Sequence, residues 1–358
     1  MKKIICKKYH NFGNSFIVLD ETRQTLVDES LKGEYSANIL NADTGIGADG
    51  LIVLSNPYDF RQTPLPTGEK VDYVFRHFEP DGSESFMCLN GALVSVMFAF
   101  QVLNKKRVRL LAATNTQRPW LLNAGIVEKD ETGRVFIQGK MMSAVDNDLV
   151  HPDIRIPFLP GVDKISHFDI RFRENDTQDL GMKHSRLSLS GFLVSSGEPH
   201  LVILTDQIDD CGHLADLLFN LSLNERRSAL GDELIHDIGM RVQHEFCHYF
   251  PQGLNLTFVH VLETSDNSEP SGPLIRYRCF ERAINKETLS CGTAALACAG
   301  VLRSIGCCRK SSISIYPYLF NLNHPSAFYT VYPETPVPDQ WRIVGQPELI
   351  SDHICFNL

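Results

Sequence analysis

The sequence predicts an α/β or α+β protein built from two related halves. Three observations support this. Short strand-like segments alternate with isolated helical ones. Two of the helical segments are apolar nearly all round, as only helices enclosed by protein are. The segments leading into those two helices echo each other, each with a cysteine at the helix mouth.

In chain order, residues 4–7 and 15–19 read as strands around a Gly13-Asn14 turn, and the Asp49-Gly50 turn leads into a buried strand to Leu54. Residues 72–78 alternate as a strand should, and Asp81-Gly82-Ser83 ends them. Cys88 opens the first apolar helix, which runs to about Leu103. Strands are expected at 108–112 and 134–139. Between about 141 and 187 the chain turns polar and carries Pro152, Pro157 and Pro160, and the domain linker is placed at its start. Strands at 188–195 and 201–205, helices at 213–221 and 225–236, and strands at 256–262 and 274–280 follow. Cys291 opens the second apolar helix, to about Ser304. Strands near 313–316 and 328–332 complete the pattern.

The bulk numbers bound the function. The 358 residues are 43% hydrophobic, which suits two cores rather than disorder, and the formal net charge of −9 argues against a general nucleic-acid binder. No apolar run is long enough to span a membrane, and the basic start lacks a signal-peptide core, so a cytoplasmic protein is expected. The ten cysteines form no Cys-x-x-Cys pair. The nearest approach to zinc spacing, Cys247-His248 with His244, is weak, and most of these thiols read as small core residues.

The repeat carries the chemistry. The first copy runs Glu84-Ser-Phe-Met-Cys88-Leu89-Asn90-Gly91-Ala92, the second Glu287-Thr-Leu-Ser-Cys291-Gly292-Thr293-Ala294-Ala295. In both, a Glu stands four residues before the Cys and an Ala four after. A helix N-terminus presents unpaired N–H groups and partial positive charge, which favour a thiolate. The following amides, of Leu89, Asn90, Gly292 and Thr293, can hold a carboxylate. Two such helices on one ligand would put a thiol on each side of its α-carbon, as racemisation requires. The alternatives are two core cysteines kept by an old duplication, or a redox disulfide between them.

In order and over nearly the whole chain, these residues resemble the diaminopimelate epimerase family. The resemblance rests on Lys8-Tyr9-His10-Asn11-Phe12-Gly13-Asn14, Gly45-Ile46-Gly47-Ala48-Asp49-Gly50, and Asp81-Gly82-Ser83-Glu84 leading to Cys88-Leu89-Asn90-Gly91. It continues through Gly197-Glu198-Pro199-His200, Phe250-Pro251-Gln252-Gly253-Leu254-Asn255, Glu281-Arg282, and Glu287 to Thr293. The family resemblance implies two pseudo-symmetric domains, each a mixed sheet or barrel around a central helix, with the active site in the cleft between. The implied halves are residues 1–142, joined by a returning strand at 345–358, and residues 143–344. It implies Cys88 and Cys291 as acid/base pair, and Asn14, Glu79, Leu89, Asn90, Glu198, Asn255, Glu281, Arg282, Gly292 and Thr293 around the substrate, with Arg282 available for a distal carboxylate. It implies neither pyridoxal phosphate nor metal, a small amino-acid substrate, and a possible homodimer. His10 and His200 match positions near the site, though each read alone is a hydrogen-bonded structural histidine. Diaminopimelate, and with it lysine biosynthesis, is the family default.

Departures fall inside the motifs. Glu79 and Glu198 replace two asparagines that in the family contact the far end of the substrate, which points to a cationic distal group, as in histidine, lysine, ornithine or arginine. Leu89 replaces a glycine beside the carboxylate cradle, and supports the competing reading of a catalytically silent binding homologue. A third reading keeps the fold but isomerises an unsaturated acid.

Overall fold

A computed structural model describes residues 3–59, 70–85, 87–112, 120–126, 135–140, 163–171, 186–205, 211–220, 225–262, 274–333 and 340–357. The chain divides into two compact units, Met1–Pro152 with Tyr329–Leu358, and Asp153–Phe328. The expected linker at the start of residues 141–187 lies outside the described residues.

In the first unit β1 (Lys3–Asn11) and β2 (Asn14–Glu21) form a hairpin, with positive φ at Phe12 and Gly13 making the tight reversal. Helix α1 (Lys32–Leu40) returns the chain to β3 (Gly50–Ser55), which runs parallel to β2. Then come β4 (Tyr73–Phe78), the short β5 (Glu84–Ser85), α2 (Leu89–Gln101), β6 (Arg107–Ala112), β7 (Trp120–Ile126) and β8 (Val135–Lys140). β4 is antiparallel to β3 and parallel to β6, and β6, β7 and β8 continue antiparallel.

The second unit repeats the pairing. β9 (Asp163–Arg171) and β10 (Arg186–Ser195) are antiparallel, and β10 pairs with β11 (Pro199–Leu204). After α3 (Cys211–Phe219) and α4 (Glu225–Glu245), β12 (Asn255–Leu262) lies parallel to β11. β13 (Leu274–Glu281) is antiparallel to β12 and turns into β14 (Lys286–Glu287). Helix α5 (Gly292–Ser304) leads to β15 (Ile313–Pro317), parallel to β13, and the single turn α6 (Tyr318–Asn321).

The chain then returns to the first unit. β16 (Tyr329–Pro333) pairs with β17 (Gln340–Gly345), β17 pairs with β8, and β18 (Pro347–Asn357) pairs with β1. The return therefore starts at Tyr329 rather than Gly345, because β17 extends the sheet at β8.

In each unit the sheet curls around its apolar helix. α2 touches β1 to β4, β6 to β8, β17 and β18, and α5 touches β10 to β13 and β15. The opposite face of each sheet is covered too. Tyr35, Ile39 and Leu40 of α1 pack on Ile17, Leu19, Leu51, Val53 and Phe78. Helices α3 and α4 pack Leu217, Leu218, Ile235 and Ile238 on Leu256, Phe258 and Phe280. Strands covered on both faces need apolar residues in succession, which explains Leu51-Ile52-Val53-Leu54.

Candidate active site

In both units a buried arginine on the strand before the cysteine holds the glutamate four residues ahead of it. Arg76 donates to Glu84 from Nε (2.5 Å) and Nη2 (2.9 Å), and Arg278 to Glu287 from Nε (2.8 Å) and Nη2 (2.6 Å). Each guanidinium takes one more carboxylate, Glu29 for Arg76 and Asp232 for Arg278. These paired, two-pronged ion pairs fix the short hairpin that delivers each cysteine. Cys88 and Cys291 then occupy the N-cap positions of α2 and α5, in extended conformation.

The first cysteine accepts a hydrogen bond at sulfur from the Gly91 amide, 3.4 Å away. Beside it Asn90 accepts at Oδ1 from Asn11 (2.8 Å) and from the Tyr329 hydroxyl (2.6 Å), and donates to Asn14 (3.2 Å). The structure thus brings the expected residues Asn14, Asn90 and Cys88 together. Leu89 is buried in this unit. Glu79 does not turn to solvent: its carboxylate is 3.5 Å from the His77 ring. His10 accepts the Gly13 amide (3.2 Å) and stabilises the hairpin turn, the structural role the sequence suggested.

The second cysteine is held more elaborately. Its backbone N–H donates to the Tyr277 hydroxyl (2.9 Å), which donates to its carbonyl (3.0 Å). Its sulfur is 3.1 Å from the Thr293 hydroxyl. The sulfur atoms of Cys279 and Cys291 and a carboxylate oxygen of Glu281 lie within 4.8 Å of one another. Among the described residues this is the group close enough to share a metal ion; Cys247 and the neighbouring histidines are not. The neighbouring Cys279 thiol, with help from Thr293, the Ala294 amide and Glu281, outweighs burial and brings the Cys291 thiol down to about 7. Burial pushes Cys279 well up.

Behind Thr293 sits His200, fully buried, with Nε2 3.0 Å from the Thr293 hydroxyl and Nδ1 3.0 Å from that of Thr257. Burial, and then the charge of Arg282, hold His200 neutral, down to about 3. Asn255 spans from His200 (3.3 Å) to the Arg282 amide (2.9 Å). The Arg282 guanidinium donates from Nε to Glu198 (2.7 Å), again from Nη2, and to the Gln252 carbonyl (2.6 Å). Glu198 is buried and its charge is met by Arg282.

Sequence reasoning missed Arg76, Arg278, Tyr277, Tyr329, Thr257 and Cys279. The two arginines were detectable, since both precede the cysteine motif on matched strands. Tyr329 is supplied by the returning chain and left no local signal. Cys279 was one of ten cysteines and read as core.

No protein-family model matches the chain. Its fold is that of racemases and epimerases. It superposes on a hydroxyproline epimerase from Agrobacterium vitis with a TM-score of 0.57 over 99% of this chain and 93% of the other, at 12% identity. A probable proline racemase from Agrobacterium radiobacter gives 0.56 over 99% and 92%, at 13% identity. A PhzF-family phenazine biosynthesis protein from Bacillus anthracis gives 0.56 over the full length of both, at 14% identity. Fold and sequence relatives together define an isomerase of the racemase and epimerase class. The particular relatives are diaminopimelate epimerases, as the motifs led one to expect. That of Methanothrix thermoacetophila is 28% identical over 86% of this chain and 83% of its own, and that of Aquifex aeolicus 24% over 86% and 84%. No helix among the described residues is long and apolar enough to cross a membrane.

Proposed function

We propose that this chain inverts an amino acid at its α-carbon, with Cys88 and Cys291 as the two acid/base groups and no cofactor taking part. One thiolate takes the α-proton, the other thiol returns a proton to the opposite face, and the two sulfurs end with their protonation states exchanged. The amides of Leu89, Asn90, Gly292 and Thr293 hold the α-carboxylate. The observation that supports this most is the repeat itself: two cysteines, each capping a buried helix behind the same Arg–Glu clamp. Core cysteines need no such clamp.

Diaminopimelate is the substrate named for the sequence relatives and is the first reading here. A basic amino acid is the second, favoured by one observation. Arg282, the cation suited to a distal carboxylate, is already neutralised by Glu198.

Reduced protein in deuterium oxide, offered diaminopimelate, histidine, lysine, arginine, ornithine and glutamate, tests the reading by loss of the α-proton signal in NMR. Exchange is expected with one of them, and is expected to vanish in Cys88→Ala and in Cys291→Ala. No exchange with any of them would overturn the reading and leave a silent homologue or an isomerase of unsaturated acids.

A further inference from the structure

The second unit holds a cluster of metal-binding side chains that the first does not repeat. The sulfurs of Cys279 and Cys291 and a carboxylate oxygen of Glu281 lie within 4.8 Å of one another. Aligned on Arg76 and Arg278, the first unit has His77 and Glu79 at the positions that Cys279 and Glu281 take in the second. Among the described residues His77, Glu79 and Cys88 do not come together in this way. Each member of the cluster has a hydroxyl of its own. Thr257 donates to the Cys279 sulfur (3.5 Å), the Thr293 hydroxyl is 3.1 Å from the Cys291 sulfur, and Thr288 donates to Oε1 of Glu281 (2.5 Å). His200 lies between two of these hydroxyls, 3.0 Å from each. Protein metal sites orient their ligands by outer hydrogen bonds of this kind.

The donor set selects the ion. Two thiols and a carboxylate suit a borderline or soft cation such as Zn²⁺, whereas Mg²⁺ and Ca²⁺ take oxygen ligands. With bonds of about 2.3 Å to sulfur and 2.1 Å to oxygen, a tetrahedral zinc holds two sulfurs about 3.8 Å apart and a sulfur and an oxygen about 3.6 Å apart. That is the scale of this cluster. Three protein ligands leave the fourth position to water. Both cysteines are buried, and Glu281, half-buried, gives the cluster its side towards solvent.

We propose that Cys279, Cys291 and Glu281 form a binding site for one zinc-class divalent cation, which blocks Cys291 while it is bound. As the ion enters, each thiol gives its proton to water and forms a sulfur–metal bond, and no electron is transferred. The consequence rests on the two-thiol reading: a sulfur bonded to the ion no longer serves as the base that takes an α-proton. The ion is therefore an inhibitor that a chelator removes, not a cofactor. Cys279 is what turns one acid/base thiol into a site with two sulfurs.

The test needs no substrate, so its failure is distinct from failure of the epimerase reading. The full chain, with the exposed Cys247, Cys307 and Cys355 replaced by serine and the rest kept reduced by a phosphine, is titrated with Cd²⁺, whose bonds to thiolates absorb in the ultraviolet. The band is expected to saturate at one ion per chain, to be displaced by Zn²⁺ and not by Mg²⁺, and to survive Cys88→Ala. It is expected to be lost in Cys291→Ala and in both Cys279→Val and Cys279→Ser, and Thr257→Val is expected to weaken binding about ten- to a hundredfold. Zn²⁺ is also expected to protect Cys291 from iodoacetamide, read by peptide mass spectrometry, and to fail to do so in Cys279→Ser. No saturating band in the parent would overturn the site, as would an equal band in either Cys279 variant with circular dichroism unchanged, or its loss in Cys88→Ala. Alkylation of Cys291 at the same rate with Zn²⁺ bound would overturn the block.

Discussion

Cys291 sits in a setting that lowers its pKa, and other buried cysteines do not. Burial pushes the Cys298 thiol far up and Cys6 up to about 11. Under limiting alkylating reagent at pH 7, Cys291 is therefore expected to react while Cys6 and Cys298 stay intact; labelling of Cys298 ahead of Cys291 would contradict the electrostatics described. The Glu198–Arg282 pair makes a second residue-scale prediction. Glu198→Asn releases the guanidinium for a distal carboxylate, and the ratio of kcat/KM for diaminopimelate over lysine is expected to rise about tenfold, the worth of one charged contact. An unchanged ratio would remove Glu198 from substrate choice. His200 gives a third. Its pKa is about 3 folded and about 6.5 unfolded, so the unfolded chain binds the proton first and stability falls as pH drops below about 6.5. The slope from this one group approaches about 1.4 kcal/mol per pH unit. Urea midpoints at pH 7 and 5 are expected to differ more for the parent than for His200→Gln.

At the scale of elements, the clamps and the helix contacts decide stability. Removing one partner from a buried ion pair leaves an uncompensated charge and costs about 3–5 kcal/mol. Glu84→Gln and Glu287→Gln are each expected to lower the melting temperature by several degrees, and Glu287→Gln also to slow any reaction that needs Cys291. Helix α4 shows why some elements were misread. The sequence ended it at residue 236, yet it continues to Glu245 through Gly231 and Gly239. By propensity each glycine counts against a helix. Both are needed for contact: a Cβ on Gly231 would lie 2.1 Å from the Leu217 carbonyl oxygen, and one on Gly239 2.3 Å from the Phe280 ring. Gly239→Ala is thus expected to destabilise in spite of better helix propensity; a higher urea midpoint would show that the packing yields.

At the scale of the whole molecule, the duplication was the feature most legible in the sequence. The two apolar helices, their cysteines and the strands before them were all found within a few residues, because hydrophobic pattern and turn chemistry are local. What was not legible depended on pairing over long sequence distance. β17 was missed because nothing in residues 340–345 announces a partner at 135–140. The polar contacts that join His200, Thr257 and Cys279 were missed because these residues come from three strands, and each alone is an ordinary core residue. The pairing of Glu198 with Arg282 joins two separate motifs, and only geometry shows it.

The central claim is that two different thiols serve the two faces of one α-carbon. The most direct test starts from a single enantiomer of the identified substrate in deuterium oxide, stopped at a few per cent conversion, with deuterium located by mass spectrometry after chiral separation. Two monoprotic thiols predict deuterium at the α-carbon of the inverted product and none in recovered substrate. Deuterium in recovered substrate at that stage, or protium carried over into the product, would show one base acting on both faces and would contradict the account.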